Sequence, residues 1–127
     1  MRRAALGLLG VPIYTQWFGS GMDYISFSLI CEDLERADTA FRVVQSVHVG
    51  LNSLTLLQWG TDEQKTRWLV PHAKGEKLAT FGLTEPGVCT DAGNLSSTAR
   101  RLVDSYILNG TTYWFTITIY PDPSLFF

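Results

Sequence analysis

Residues 81–93 read FGLTEPGVCTDAG and are the most distinctive segment of the sequence. It leaves a short apolar run, turns sharply at Pro86-Gly87, and then supplies hydroxyls and backbone amides on a loop. Loops of this composition can hold a phosphate or the polar edge of a ring. The same residue types also make an ordinary decorated β-turn, so the residues alone leave both interpretations open.

Helical periodicity precedes this loop. Asp23 is a predicted N-cap, because apolar residues recur at three- and four-residue spacing after it. A second helix is predicted to begin at Asp38-Thr39, and most of its circumference is expected to be buried. One side of this helix carries Phe41, Val44, Val47, His48, Leu51 and Leu54.

A third, short helix is predicted after Gly60. Residues 61–64 read TDEQ, which is the capping-box pattern of a threonine followed three residues later by a glutamine. Pro71 is expected to kink or divide this helix before Gly75 ends it.

Strand-forming patterns follow in residues 78–84, 95–102 and 106–108. Asn109-Gly110 predicts a two-residue hairpin turn that joins residues 106–108 to a strand over residues 111–116. The sequence therefore predicts an α+β protein in which a helical part precedes a β part, with the change near residue 76.

Composition excludes several classes of protein. The 127 residues are 46% hydrophobic, 13% aromatic and 17% charged, which is incompatible with a disordered, collagen-like or coiled-coil chain. The net charge is −2 and the basic residues are scattered, which argues against nucleic-acid binding. No segment is expected to span a membrane, and export is disfavoured because the apolar N-terminus lacks a cleavage site.

Cysteines and histidines predict no metal centre. Two cysteines are too few for a disulfide framework or a four-thiolate zinc site, so a reduced intracellular protein is expected. Cys31 is interpreted as inert filling on an apolar helix face. His48 is expected to pack between helices and His72 to lie on the surface.

The combined motifs resemble the flavin-binding signature of acyl-CoA dehydrogenases. The resemblance covers about nine-tenths of the sequence in order, and it is carried by the FGLTEPG and TDAG segments within residues 81–93, YILNGT at residues 106–111 and WFT at residues 114–116. It continues backwards through GTDEQK at residues 60–65, GEK at 75–77, SVH at 46–48, CEDL at 31–34 and LGLLGVP at 6–12.

The resemblance implies FAD as cofactor and gives individual residues a role. Thr84 and the backbone near Phe81 and Leu83 bond the polar edge of the flavin, and Thr90 reaches the FAD pyrophosphate and lies beside the acyl-CoA thioester, its substrate contact. Trp114 packs against the isoalloxazine, and the hydroxyl of Thr116 points toward N5. The cofactor-binding residues implied are Phe81, Leu83, Thr84, Cys89, Thr90, Trp114, Phe115 and Thr116. A hairpin register would place Trp114 and Thr116 on one face.

The family's reaction is the α,β-dehydrogenation of acyl-CoA thioesters, with hydride transfer to flavin N5 and electron-transfer flavoprotein as acceptor. The resemblance implies an incomplete N-terminal helical domain in residues 1–75 and an incomplete, antiparallel β-barrel-like middle domain in residues 76–127. The C-terminal helical domain, with the catalytic glutamate and the contacts of a tetramer-like homo-oligomer, is expected to be absent. No catalytic residue is therefore assigned, and Glu85 belongs to the loop motif. The implied location is the cytoplasm of a bacterium or the mitochondrial matrix of a eukaryote.

One departure from the family pattern lies in the loop, where Val88-Cys89 replaces the usual Ala-Gly. Side chains there are expected to weaken FAD binding if the backbone needs a positive φ or a close approach to phosphate. Two alternatives stay open. One is a catalytically incompetent module that only binds a partner through exposed apolar surface. The other is a segment of a sister acyl-CoA oxidase or flavin monooxygenase.

Overall fold

The computed structural model describes residues 6–116 and the backbone of residues 125–126. Helix α1 is Tyr24–Ala37, α2 spans residues 39–59 and α3 spans residues 62–74. The strands are β1 (Phe81–Gly82), β2 (Thr98–Leu102), β3 (Ser105–Asn109) and β4 (Leu125–Phe126), and short 3₁₀ turns lie at Leu8–Gly10, Thr15–Trp17 and Ala92–Asn94. The predicted order of helices before strands, and with it the α+β class, is confirmed.

Helix α1 begins where the sequence predicts. The Asp23 carboxylate accepts a 2.8 Å hydrogen bond from the backbone N–H of Ser26, as an N-cap does. The helix buries no residue completely, and Cys31 is half-buried on the side that also carries Phe27 and Leu34. Burial raises the pKa of the Cys31 thiol, which fits the interpretation of inert filling.

Helix α2 begins after Asp38, whose carboxylate accepts from the N–H of Ala40 at 2.8 Å, and it changes its hydrogen-bond pattern in the middle. Ser46–Ser53 is a π-helical stretch, in which the N–H of Leu54 donates to the carbonyl of Val49 five residues back. π-Helical stretches of this length are uncommon, and each wider turn shifts which side chains face inward.

The face of α2 that is buried differs from the predicted one. Phe41 and Leu51, predicted to face the core, are each 42% exposed. The fully buried side chains of the π-helical stretch and its flanks are Gln45, His48, Val49, Asn52 and Ser53. His48 is buried as predicted. The prediction for Phe41 and Leu51 was wrong because it followed the apolar residues, whereas most of the fully buried side chains on this face are polar.

Helix α3 starts with the predicted capping box. The Thr61 hydroxyl accepts from the N–H of Gln64 at 3.3 Å, and the Gln64 side chain accepts from the N–H of Thr61 at 2.9 Å. The helix continues through Pro71. A π-helical stretch at Lys65–Leu69 is followed directly by α-helix at Val70–Lys74. Gly75 ends the helix at φ 68°, as predicted.

The hydrophobic core lies between α2, α3 and the N-terminal segment. Its centre is Ile13, Leu56, Leu69 and Ala73, with Trp17, Leu54, Leu57 and Trp68 packed around it. No helix within residues 6–116 is long and apolar enough to cross a membrane.

Buried polar side chains of α2 fasten the segment that leads into β1. His48 Nδ1 accepts a 3.0 Å hydrogen bond from the N–H of Ala79, and Nε2 donates to the carbonyl of His72 at 3.1 Å. Asn52 Nδ2 donates to the carbonyl of Thr80 at 3.0 Å. We call these contacts the α2 clamp. They join α2, the end of α3 and the start of the β part.

The structure corrects the prediction that His72 lies on the surface. Its side chain is 2% exposed, and its ring meets that of His48 edge-on with centroids 5.3 Å apart. His72 lies next to Ala73 and three residues after Leu69, both of which are buried, so it shares the inward face of α3.

The structure also corrects the predicted hairpin. β2 pairs antiparallel with β3 around Val103-Asp104, whereas residues 111–116 form no regular strand. Gly110 does not have a positive φ. A Cβ atom built on it would lie 1.9 Å from Ser97 Oγ, so close packing explains this glycine and a hairpin turn does not.

Acidification is expected to destabilise the fold through His48. Burial lowers the pKa of His48 from its ordinary 6.5, and the hydrogen bond to the His72 carbonyl only partly opposes this. Below pH 6.5 the unfolded chain therefore binds a proton that the folded chain does not, and the free energy of unfolding falls by up to about 1.4 kcal/mol per pH unit. Thermal unfolding between pH 7.5 and 5.5 measures this slope. His48→Gln can accept and donate in the same places without titrating, and an unchanged slope in that variant would contradict the assignment.

Gly110→Ala is expected to destabilise the chain by about 1–3 kcal/mol, because the added methyl group overpacks against Ser97. Gly87→Ala is the matched control, since nothing lies within 4 Å of its Cβ position and its φ is not positive. Urea unfolding measures both variants. Ser97→Gly in the Gly110→Ala background should restore part of the loss, and equal stability of the two alanine variants would refute the packing explanation.

Candidate functional site

Two of the sequence motifs lie side by side. The N–H of Tyr113 donates to the carbonyl of Thr84 at 3.0 Å, and the Thr80 hydroxyl donates to the carbonyl of Thr116. These bonds connect residues 80–84 with residues 113–116 in an antiparallel sense. On the other side, β1 pairs in parallel with β4, Phe81 opposite Leu125. We call residues 80–84 and 113–116 the paired segments.

Six of the eight cofactor residues predicted from the sequence lie on the paired segments. These six residues are Phe81, Leu83, Thr84, Trp114, Phe115 and Thr116. Trp114 is 83% exposed, and the other five are half-buried. The fold of the described residues therefore brings together side chains that are up to 35 positions apart in the sequence, counted from Phe81 to Thr116.

Trp114 has a backbone conformation that large residues rarely adopt. Its φ is 62°, in the left-handed region, and its ring meets that of Tyr113 edge-on at 5.8 Å. A left-handed residue breaks the alternation of a strand. Residues 111–116 therefore lack the strand on which the expected common face of Trp114 and Thr116 was based, and the role of each residue stays a prediction.

The loop that follows β1 starts with a tight turn. The N–H of Glu85 donates to the carbonyl of Val88 at 2.9 Å, and the N–H of Val88 donates to the carbonyl of Glu85 at 3.2 Å. Neither Val88 nor Cys89 has a positive φ. Val88-Cys89, in place of the usual Ala-Gly, is thus accommodated without a left-handed backbone conformation.

Cys89 and Thr90 are exposed on the loop, outside the paired segments. The Cys89 thiol and the Thr90 hydroxyl are therefore accessible to a ligand. The predicted cofactor residues thus fall on two sets of segments, the paired segments and the loop.

Glu85 connects the loop to β2. Its side chain, which is 1% exposed, accepts hydrogen bonds from the N–H of Ser96 at 2.8 Å, from the Ser96 hydroxyl and from the N–H of Ser97 at 2.9 Å. The Ser96 hydroxyl first, and then Ser97 and the Ser96 amide, lower the pKa of Glu85 to about 2.

Sequence reasoning excluded Glu85 as a catalytic base but did not identify this contact. The partners lie eleven and twelve residues away, and two adjacent serines before a strand are too common to indicate a carboxylate partner. The only available signal was the glutamate itself, in a loop of otherwise small and polar residues.

An open cleft of about 320 Å³ lies between the start of β2 and the end of β3. Its lining is mostly apolar or hydroxyl-bearing and comprises Leu95, Ser97, Thr98, Ala99, Leu108, Asn109, Gly110 and Thr112. None of the cofactor residues predicted from the sequence lines this cleft, and no motif in the sequence predicts it.

Comparison with known proteins gives consistent matches. The family model described as acyl-CoA dehydrogenase, N-terminal domain, matches residues 1–76. The mitochondrial short-chain specific acyl-CoA dehydrogenase of Mus musculus is 40% identical over 111 residues, which cover 87% of this chain and 27% of that protein.

Two solved structures are similar over most of the chain. Acyl-CoA dehydrogenase complexed with FAD from Bacillus anthracis has a TM-score of 0.82 and 40% identity, and the match covers 90% of this chain and 20% of that one. Butyryl-CoA dehydrogenase from Megasphaera elsdenii has a TM-score of 0.84 and 35% identity, with coverage of 90% and 31%. The chain thus spans less than a third of the length of these relatives.

The family model matches more than half of the chain, and the chain therefore belongs to the acyl-CoA dehydrogenase family.

Proposed function

We propose that this chain is the part of an FAD-dependent acyl-CoA dehydrogenase that holds the flavin. The complete protein would catalyse the α,β-dehydrogenation of an acyl-CoA thioester. The observation that supports this most directly is the pairing of residues 80–84 with residues 113–116, because it gathers the Thr-Glu-Pro and Trp-x-Thr motifs in one place. Bound FAD would supply the redox chemistry by accepting the substrate's β-hydrogen as hydride at N5.

The described residues fit a flavin in their chemistry. Thr84 and Thr116 offer hydroxyls on half-buried positions of the paired segments, and Trp114 offers an exposed indole face that a planar ring could cover. Thr90 offers a hydroxyl on the loop, in reach of solvent. In the proposal, the paired segments orient the flavin ring, and the loop holds the pyrophosphate and lies beside the acyl-CoA thioester.

The proton at the substrate's α-carbon needs a base from elsewhere in the complete protein. Glu85 is unsuited to the role, because its carboxylate is buried, accepts three hydrogen bonds and has its pKa lowered to about 2. We infer that the family's catalytic glutamate lies in a C-terminal helical domain outside this sequence. The division at residues 75 and 76 into N-terminal and middle domains is part of the same proposal.

Partners and location follow from family membership as proposals. They are an acyl-CoA substrate, electron-transfer flavoprotein as electron acceptor, and a tetramer-like homo-oligomer. The mouse relative is named as mitochondrial, which supports the matrix as the location in a eukaryote, and bacterial relatives support the cytoplasm in a bacterium.

A module that only binds a partner is the second candidate. One observation favours it, namely the exposed apolar side chains of the β2–β3 hairpin, among which Val103 is 88% and Leu108 is 64% exposed. A stable complex formed by colourless protein that ignores added FAD would favour this candidate. A sister oxidase or flavin monooxygenase shares the flavin site, and reaction of the complete reduced protein with oxygen separates it from a dehydrogenase.

FAD binding is the decisive test of the flavin proposal. The purified chain is expected to bind FAD and become yellow, and Thr84→Ala should weaken the binding. Trp114→Asn should weaken it as well while leaving the stability unchanged or higher, because asparagine tolerates the left-handed conformation that costs tryptophan about 1–3 kcal/mol. Equilibrium titration with FAD and thermal unfolding measure the two effects.

Trp59→Asn is the matched control, since Trp59 is 76% exposed at the end of α2 and is not part of the paired segments. It should bind FAD as the unmodified chain does. A chain that stays colourless in excess FAD, or a Trp114→Asn variant with undiminished affinity, would refute the assignment.

A further inference from the structure

We propose that Glu85 is a positioning residue that holds the loop of residues 86–95 in the shape required to bind the pyrophosphate part of FAD. This inference rests on the proposed function, and it concerns a residue that touches the loop and not the ligand.

The loop has little packing of its own. Within residues 86–95, Val88 and Leu95 are half-buried and every other residue is exposed. Gly87 has nothing within 4 Å of its Cβ position. A segment without buried side chains samples many conformations unless its ends are fixed. The shape of the loop therefore depends on what holds its two ends.

Glu85 holds both ends. Its backbone closes the first turn through the two hydrogen bonds with Val88, of 2.9 and 3.2 Å. Its side chain reaches across to the far end, where Oε2 accepts from the N–H of Ser96 at 2.8 Å and also from the Ser96 hydroxyl, and Oε1 accepts from the N–H of Ser97 at 2.9 Å. One residue thus closes the loop, and the exposed Thr90 lies between the two attachments.

A carboxylate suits this position better than other side chains. All three partners are donors, so both oxygens must accept, and a glutamine would turn its NH₂ group toward at least one donor. An aspartate is one methylene shorter, so it would have to move its backbone toward the serines to accept the same hydrogen bonds. The lowered pKa of Glu85, about 2, keeps the carboxylate charged at neutral pH.

The division of the site makes the effect of Glu85 specific. The loop carries Thr90, assigned to the pyrophosphate, whereas Thr84 and Trp114 on the paired segments are assigned to the flavin ring. The paired segments have their own hydrogen bonds, between Tyr113 and Thr84 and between Thr80 and Thr116. Loosening the loop should therefore cost affinity for FAD and spare riboflavin, which has the ring but no pyrophosphate.

The experiment compares FAD and riboflavin affinities of the chain with those of Glu85→Gln and Ser96→Ala. Glu85→Gln should weaken FAD binding at least about tenfold, because it replaces hydrogen bonds to a charged carboxylate by weaker bonds to a neutral amide, and it should change riboflavin binding less than about twofold. Ser96→Ala removes one donor and keeps both amides, so it should produce a smaller loss in the same direction. It also serves as the test variant if Glu85→Gln does not fold. Glu76→Gln, at an exposed position before β1, controls for the loss of one charge.

Loop order is measured independently of any flavin. Hydrogen exchange of the amides of Ser96 and Ser97, and alkylation of the exposed Cys89 thiol, should both accelerate in Glu85→Gln, whereas exchange in α2 should not change. Cys31 is half-buried and serves as an internal reference for the alkylation.

Three results would overturn the inference. They are FAD affinity of Glu85→Gln within twofold of the unmodified chain, equal weakening of FAD and riboflavin, and unchanged exchange in the loop. A failure of the proposed function has a different signature, because the unmodified chain would then bind neither flavin. That result would refute FAD binding by this loop, and the hydrogen-exchange data would still decide whether Glu85 orders the loop.

Discussion

The arrangement of this protein depends on the buried polar contacts between α2 and the chain that enters β1. His48 accepts from the N–H of Ala79, and Asn52 donates to the carbonyl of Thr80. Both side chains are fully buried, where a polar group without a partner is costly, and the backbone that follows α3 supplies partners for His48 Nδ1 and Asn52 Nδ2. The cost of leaving these groups unpaired fixes where the β part begins relative to the helices.

From that fixed start, the candidate site is assembled by two further attachments. Residues 113–116 bind alongside residues 80–84, and Glu85 ties the next loop to the beginning of β2. The attachments differ in kind. The first uses mostly backbone groups and brings ring-binding candidates together, whereas the second uses a buried charge and closes an exposed loop. A ligand that spans both parts would couple them, which agrees with a dinucleotide cofactor in the proposed function.

The α2 clamp lies on one face of α2. Gln45, His48, Asn52 and Ser53, at positions i, i+3, i+7 and i+8, share this face and are all fully buried. This stretch of α2 is therefore attached to its neighbours mainly through polar side chains. Gln45 uses this placement to donate to the carbonyl of Leu8, so the same stretch also holds the N-terminal segment.

The helix starts and stops could be predicted from the sequence alone, because they depend on residues that are close together in the chain. The N-cap at Asp23, the capping box at Thr61 and the left-handed stop at Gly75 each need only side-chain and backbone groups within one turn, so local chemistry is sufficient. The order of helices before strands and the family resemblance could also be predicted from the sequence, since both rest on residue patterns along the chain.

The contacts between residues that are far apart in the sequence became known only from the tertiary structure. It placed His72 inside, moved the hairpin turn to Val103-Asp104, gave Gly110 a packing role against Ser97 and engaged Glu85 with Ser96. Asn109-Gly110 has the composition of a hairpin turn, but the β2–β3 pairing and the attachment of Tyr113 to Thr84 determine the path of the chain there. Once the core is buried, each buried donor or acceptor needs a hydrogen-bond partner, and the folded chain determines which distant group lies within reach. The pattern of neighbouring residues does not specify that partner.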